Sequence, residues 1–300
     1  MIIDERLARK VVVKRQADSH KGTYGRVLLI GGFYPYGGAI IMSALAAVKS
    51  GAGLVTVATE RENIVALHTQ LPEAMAFDCE DEEFLAENLT KADVVLIGPG
   101  LGENSKAKRV LEEVLSKVSE NQILLVDGSA LNLLAKAMPV FCQAGHIILT
   151  PHQKEWERLS GLVIADQSLE NTQAALANFP KETILVAKSH HTKILQGSQV
   201  GELTVGGPYQ ATGGMGDTLC GMIAGFVAQF KDNLFESVAV ATYLHSAIAD
   251  QLGQEAYVVL PTTISAALPK AMKKLSETQV QFQSIELPAY LIPGFSIWDF

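Results

Sequence analysis

Gly213-Gly214-Met215-Gly216-Asp217 runs without a break into Thr218-Leu219-Cys220-Gly221-Met222-Ile223-Ala224-Gly225-Phe226. A glycine turn therefore opens onto an apolar helix built from small residues. Glycines let backbone N–H groups crowd around an anion, and a helix N-terminus adds a partial positive charge. Asp217 stands out, because a carboxylate repels a phosphate bound at such a turn. Two readings follow from the residues. Asp217 is a base that takes a proton from a hydroxyl while the turn holds the phosphoryl group under attack. Alternatively, it caps its own helix, as Asp often does. The stretch alone does not separate them.

Upstream of this stretch, short apolar runs alternate with longer helical ones. Strands are expected at Val27–Gly31, Leu54–Ala58, Val94–Gly98, Ile123–Asp127, His146–Leu149, Thr183–Ala187 and Thr192–Leu195. They are apolar at consecutive positions, as strands covered on both faces of a parallel sheet are. Helices are expected at Ala39–Ser50, Glu62–Thr69, Glu82–Leu89, Ser105–Ser119, Ala130–Ala137, Gln153–Leu159 and Ser168–Asn178. The last third reads as Thr218–Phe230, Leu234–Leu252 and Thr262–Leu275, all helical, after a glycine-rich segment 196–210 that suits a short hairpin. No linker or repeat divides the chain. The expected fold is α/β, a single doubly wound and mostly parallel sheet flanked by helices. It occupies residues 1–275, followed by an apolar extension over 276–300. The part of that extension from Leu287 to Phe300 is apolar enough to favour docking on its own subunit or a neighbour.

Ligands of such folds bind at the carboxyl ends of the strands. Gly31-Gly32, Gly98-Pro99-Gly100-Leu101-Gly102, Asp127, Thr150-Pro151-His152 and Lys188 all fall there. Gly98–Gly102 is neither the dinucleotide fingerprint nor a Walker sequence, so it reads as a tight turn or as a close backbone approach to a ligand. His152, if neutral, can hydrogen-bond a carboxamide or a phosphate. Lys188-Ser189-His190-His191-Thr192 has the donors to hold phosphates; the bland alternative is a solvated hairpin. Its two histidines, read as neighbours in an extended segment, point to opposite faces and do not share a metal. Asp127 reads as a supporting residue, with Ser129 as the N-cap of the next helix and Asn132 beside it. Gly37-Gly38 and Ala39 leave room for a ring or a ribose, although packing accounts for them equally well.

Composition narrows the function classes. A net charge of −8 argues against a general nucleic-acid surface, yet backbone amides can still bind a small anion. Cys79, Cys142 and Cys220 have no metal-like spacing, which suits reduced thiols and a cytoplasmic setting. No side-chain metal site is expected. The charged N-terminus is no signal peptide, and no apolar run reaches the roughly 18 residues of a membrane span.

The ordered set Lys21–Arg26, Gly31-Gly32 with Gly38-Ala39, Gly51–Ala58, Gly98–Gly102, Val126-Asp127 with Ala130–Asn132, Thr150–His152 with Glu155, and Gly213–Asp217 covers roughly residues 10–275. In that combination the chain resembles the NAD(P)H-hydrate dehydratases, the carbohydrate-kinase-like domain of the ribokinase-like superfamily. The resemblance implies repair of NADH and NADPH whose nicotinamide ring has been hydrated (NADHX and NADPHX), using a nucleoside phosphate and Mg²⁺. Bacterial members use ADP and eukaryotic ones ATP, and this chain looks bacterial, so ADP is expected. Carried over by position, the hydrated cofactor contacts Ala39, Gly102, His152 and Asp217, with Asp217 as base. The adenine nucleotide contacts Lys188, Ser189, His190, His191, Thr192 and Gly216, with Gly213 and Gly214 completing the phosphate turn. The resemblance further implies a homotetramer and, since this chain is too short to include one, a separate NAD(P)H-hydrate epimerase as pathway partner. Two positions depart from the family pattern: Lys188-Ser189 stands where Lys-Gly is usual, and Met215 where the turn usually has Thr. A small-molecule kinase of the same superfamily would share Asp217 and the turn. A non-catalytic nucleotide sensor would not need the carboxylate.

Overall fold

A computed structural model describes residues 1–136 and 142–283. Among these, the strands are β1 (Ile2–Ile3), β2 (Arg26–Ile30), β3 (Leu54–Thr59), β4 (Met75–Asp78), β5 (Val94–Ile97), β6 (Ile123–Val126), β7 (His146–Leu149), β8 (Ile184–Ala187), β9 (Lys193–Gln196) and β10 (Gln199–Leu203). The helices are α1 (Glu5–Val11), α2 (Gly37–Lys49), α3 (Arg61–Gln70), α4 (Glu82–Lys91), α5 (Ser105–Lys117), α6 (Gly128–Lys136), α7 (Gln153–Ser160), α8 (Leu169–Leu176), α9 (Met215–Gln229), α10 (Leu234–Gly253) and α11 (Pro261–Gln283). The strands form one ten-stranded sheet in the order β1-β10-β9-β8-β7-β6-β5-β2-β3-β4. Only β9 runs against its neighbours. The single doubly wound, mostly parallel sheet is as expected.

Alternation along the strands builds both faces. Val27 and Leu29 of β2 point into the layer made with α2, α9 and α10, while Leu28 and Ile30 point into the layer made with α4 to α8. In α9 every residue from Thr218 to Ala228 is buried. A Cβ at Gly221 would come within 2.2 Å of the Ser43 carbonyl oxygen, and one at Gly225 within 2.6 Å of Ser50 Cβ. The small residues after the glycine turn are what let α9 lie against α2.

Strand order also locates the crevice. The chain moves outward through β2, β3 and β4, then returns to place β5 on the other side of β2. That reversal opens a gap at the carboxyl ends of β2 and β5, where doubly wound sheets bind ligands.

Several expectations need correction. Elements β1, α1 and β4 were not anticipated: β1 has two residues, and β4 is an edge strand whose Met75 is half exposed. Ser129 is not an N-cap, because α6 already begins at Gly128. Helix α9 starts at Met215, earlier than expected, and α11 runs on to Gln283. The expected hairpin exists as β9 and β10, turning at Gly197 with φ 54°. Ala137 and the apolar stretch 287–300 lie outside the described residues.

Candidate active site

The glycine turn enters α9 through Gly214, which has a left-handed φ of 93° and supplies no side-chain cap. That conformation suits glycine, and the site is crowded as well: a Cβ there would lie 2.3 Å from Met42 Sδ. A Cβ at Gly213 would meet nothing within 4 Å, so this side of the turn faces open space. Asp217 falls in the first turn of the helix and is not its cap, which removes the capping alternative. Its carbonyl accepts hydrogen bonds from Ser43 Oγ (2.9 Å) and Cys220 Sγ (3.1 Å), tying the helix start to α2.

The Asp217 carboxyl is pushed up to about 6. Burial is the main cause, reinforced by the negative charge of Asp127 and opposed by Lys188 and by a backbone N–H. A carboxylate near 6 still ionises at neutral pH and binds a proton far more readily than an ordinary one.

The charged groups acting on Asp217, Asp127 and Lys188, and the Thr150 that bonds Asp127 come from three consecutive strand ends. Asp127 follows β6, Thr150 follows β7 and Lys188 follows β8. Asp127 Oδ1 accepts hydrogen bonds from Thr150 Oγ1 (2.6 Å) and Lys188 Nζ (2.9 Å). Burial opposes the Lys188 charge, but Asp127 and Glu155 more than offset it and hold its pKa above the ordinary lysine value. A Cβ at Gly216 would sit 3.3 Å from Lys188 Nζ, so the ammonium stands beside the start of α9. Backbone donors, a helix N-terminus and a fixed cation thus converge on one spot, with a proton acceptor next to them.

His152 lies beside Lys188 through a parallel bridge between strand ends, and the Lys188 N–H donates to Pro151 O (2.9 Å). It is also the N-cap of α7. Its Nδ1 accepts from the backbone of Lys154 (3.1 Å) and Glu155 (3.2 Å), while Glu155 Oε2 accepts the His152 backbone N–H (2.8 Å). Burial first, then Lys188 and Arg158, lower its pKa. With Nδ1 committed to the cap as an acceptor, Nε2–H is the donor of the ring; it stands 3.4 Å from Glu155 Oε1, whose place a ligand acceptor would take.

The Ser189–Thr192 loop closes on itself. The Thr192 hydroxyl donates to Ser189 O (3.0 Å), and Ser189 Oγ accepts the His191 N–H (3.1 Å). The serine at the unusual position 189 is therefore occupied by its own turn. The His190 and His191 rings do not diverge as an extended segment requires; their centroids are 3.7 Å apart because the backbone turns here. No group of three metal-ligating side chains stands together among the described residues. The outer face of this loop borders a cavity of about 280 Å³ that Trp156 and Leu195 also line.

Ala39 and Gly102 lie across the crevice, near the ends of β2 and β5. Gly102 has φ 74°, and a Cβ there would meet nothing, so its surface is open. Next to it, Glu103 accepts from Asn132 Nδ2 (2.9 Å), and Asn132 Oδ1 accepts from Arg158 (2.7 Å), which ties this rim to α7. The Asp127–Lys188 pair, the Thr150 bond and the Arg158 brace were not visible in sequence, because no local pattern links residues so far apart in the chain.

The chain matches the profile of the NAD(P)H-hydrate dehydratases over residues 27–270. It belongs to that family. Among relatives of the family, it is 63% identical to the ADP-dependent (S)-NAD(P)H-hydrate dehydratase of Streptococcus thermophilus over 277 residues, covering 92% of this chain and 100% of the relative. It is similar to a solved structure of a hypothetical protein from Streptococcus mutans, at 63% identity and a TM-score of 0.90, covering 92% of this chain and 100% of the other. It is also similar, at 28% identity and a TM-score of 0.80, to the ADP/ATP-dependent NAD(P)H-hydrate dehydratase of Bacillus subtilis co-crystallised with ATP and Mg²⁺. That match covers 91% of this chain and 98% of the other.

Proposed function

We propose that this protein restores NADH and NADPH from their (S)-hydrates, with ADP as the phosphoryl donor and Asp217 as the base. The observation that carries this reading is the Asp217 carboxyl, raised to about 6 by burial, in the first turn of α9 beside the open glycine turn. In the first step the ring hydroxyl oxygen attacks the terminal phosphorus. Its proton passes to Asp217, and the bond to the departing nucleoside monophosphate breaks. The Gly213–Gly216 turn and Lys188 stabilise the charge on the transferring group. In the second step the carbon–oxygen bond breaks and inorganic phosphate leaves, pushed by the ring nitrogen's electron pair. The neighbouring ring carbon loses a proton to water, and the conjugated dihydropyridine is restored.

Ala39 and Gly102 flank the ring side of the crevice, and His152 offers its Nε2–H to the carboxamide. Ser189, His190, His191 and Thr192 bound the nucleotide side with Lys188. Asp127 is already held by Thr150 and Lys188. Mg²⁺ is therefore assigned to the phosphates of the incoming nucleotide, whose charge it neutralises. The same reading takes residues 1–275 as the dehydratase unit, working as a cytoplasmic homotetramer supplied by a separate epimerase. No helix among the described residues is long and apolar enough to cross a membrane.

The test incubates hydrated NADH with ADP or ATP and follows absorbance of the reduced ring. Recovery with ADP, matched by release of nucleoside monophosphate and phosphate, is expected. No recovery with either nucleotide overturns the reading, and a phosphorylated product that persists makes the protein a kinase.

A further inference from the structure

His245 lies on α10, and only 5% of it is exposed. The mechanism above gives it no part. Its surroundings do. Gln210 Nε2 approaches His245 Nδ1 at 3.4 Å, and Gln210 Oε1 accepts the Gly207 N–H at 3.2 Å. The second bond orients the Gln210 amide, so its NH₂ end faces the ring. Nδ1 is then the acceptor, and the neutral imidazole carries its proton on Nε2. That nitrogen is buried without a hydrogen-bond partner. The ring also faces the backbone of Met215, which favours a proton on it, while burial first and then the Lys188 charge push its pKa down to about 4.

Gln210 and Met215 are the two shoulders of the glycine turn. Between them, Gly213 and Gly214 have no side chains with which to anchor themselves. The approach to the turn is further held from α10 by Asp250, whose Oδ1 accepts the Gly206 N–H (2.9 Å) and the Tyr209 hydroxyl. The turn is therefore positioned from behind, by α10, and His245 meets Gln210 at one end of it and faces the Met215 backbone at the other.

We infer that His245 is a positioning residue for nucleotide binding: by holding Gln210 and filling the space behind the Met215 backbone it fixes the backbone donors that receive the terminal phosphate. The inference rests on the proposed phosphate role of the turn but not on the dehydration chemistry. Nucleotide affinity can therefore be read separately from turnover.

The experiment measures ADP affinity by calorimetry, together with hydrate-recovery kinetics, for wild type, His245→Leu, His245→Asn and Gln210→Leu. His245→Leu keeps an apolar filling but removes both ring nitrogens. At least a tenfold weaker ADP affinity is expected, with a smaller change in the KM for the hydrate, because Ala39, Gly102 and His152 are not attached to this brace and only Asp217 is. Partial recovery of affinity is expected in His245→Asn. Gln210→Leu should weaken ADP binding in the same direction, and the double variant should lose less than the product of the two single losses. A lowered melting temperature with ADP affinity within twofold of wild type would overturn the inference. If His245→Leu does not fold, Gln210→Leu decides it by the same criterion. Wild-type protein that binds ADP but recovers no NADH would remove the dehydratase reading and leave this comparison intact.

Discussion

Asp127 and Asp217 stand at the same edge of the sheet and differ in nearly everything else. Asp127 ends a strand, is 3% exposed and is held by two donors, Thr150 Oγ1 and Lys188 Nζ. Asp217 begins a helix, and among the described residues no side-chain donor reaches its carboxylate. Burial raises its pKa, and the charge of Asp127 raises it further. One carboxylate fixes a cation; the other is left to seek a proton. Two identical side chains thus take separate roles through their surroundings, and the base is the one without a side-chain donor among the described residues.

Removing the carboxylate that seeks a proton should have the largest effect. Asp217→Asn is expected to lower kcat by roughly 10²–10⁴-fold while ADP binding stays within a few-fold of wild type. The same variant should be more stable at neutral pH. The folded pKa of about 6 lies above the ordinary aspartate value of 3.8, so the folded state holds this proton more tightly. Stability is then lost as pH rises from about 4 to about 6 and stays lower above that range. Asn removes the penalty, a gain of about 3 kcal/mol at most at pH 8 that vanishes near pH 4. Denaturant titrations at the two pH values check it.

Breaking the other half of the contrast comes next. Lys188→Met leaves Asp127 buried without its cation and should cost about 3 kcal/mol of stability. Adding Asp127→Asn should return much of that loss, since the uncompensated charge is gone. Chemical denaturation of the single and double variants measures both. If Lys188→Met is as stable as wild type, the pair does not hold the rim.

His152→Ala should have the smallest effect. It removes the α7 cap, worth about 1 kcal/mol, and should raise the KM for the hydrate without moving the KM for ADP. Equal effects on both constants would separate His152 from the ring side.

The sequence made the parallel sheet legible because central strands covered on both faces are apolar at every position. Edge elements escaped, since Met75 in β4 is half exposed and β1 is only two residues long. Glycines marked the rim well, because Gly102 and Gly214 need left-handed backbone that few other residues adopt. Partnerships did not show. Nothing local to Asp127 announces Lys188, 61 residues away, and nothing near His245 announces Gln210. The paired histidines sit on the turn between the antiparallel β8 and β9, the hairpin alternative for this segment, so their rings do not diverge as in an extended strand.

The most direct test of the contrast is the titration of the carboxyls themselves. Protein labelled with carboxyl-¹³C aspartate can be followed by NMR across pH 4 to 8 without nucleotide, in wild type and in Asp217→Asn. One aspartate resonance titrating near pH 6 in wild type and missing from the variant is the predicted result. If no aspartate titrates above pH 5, or if the resonance near 6 survives in Asp217→Asn, Asp217 is not the poised base.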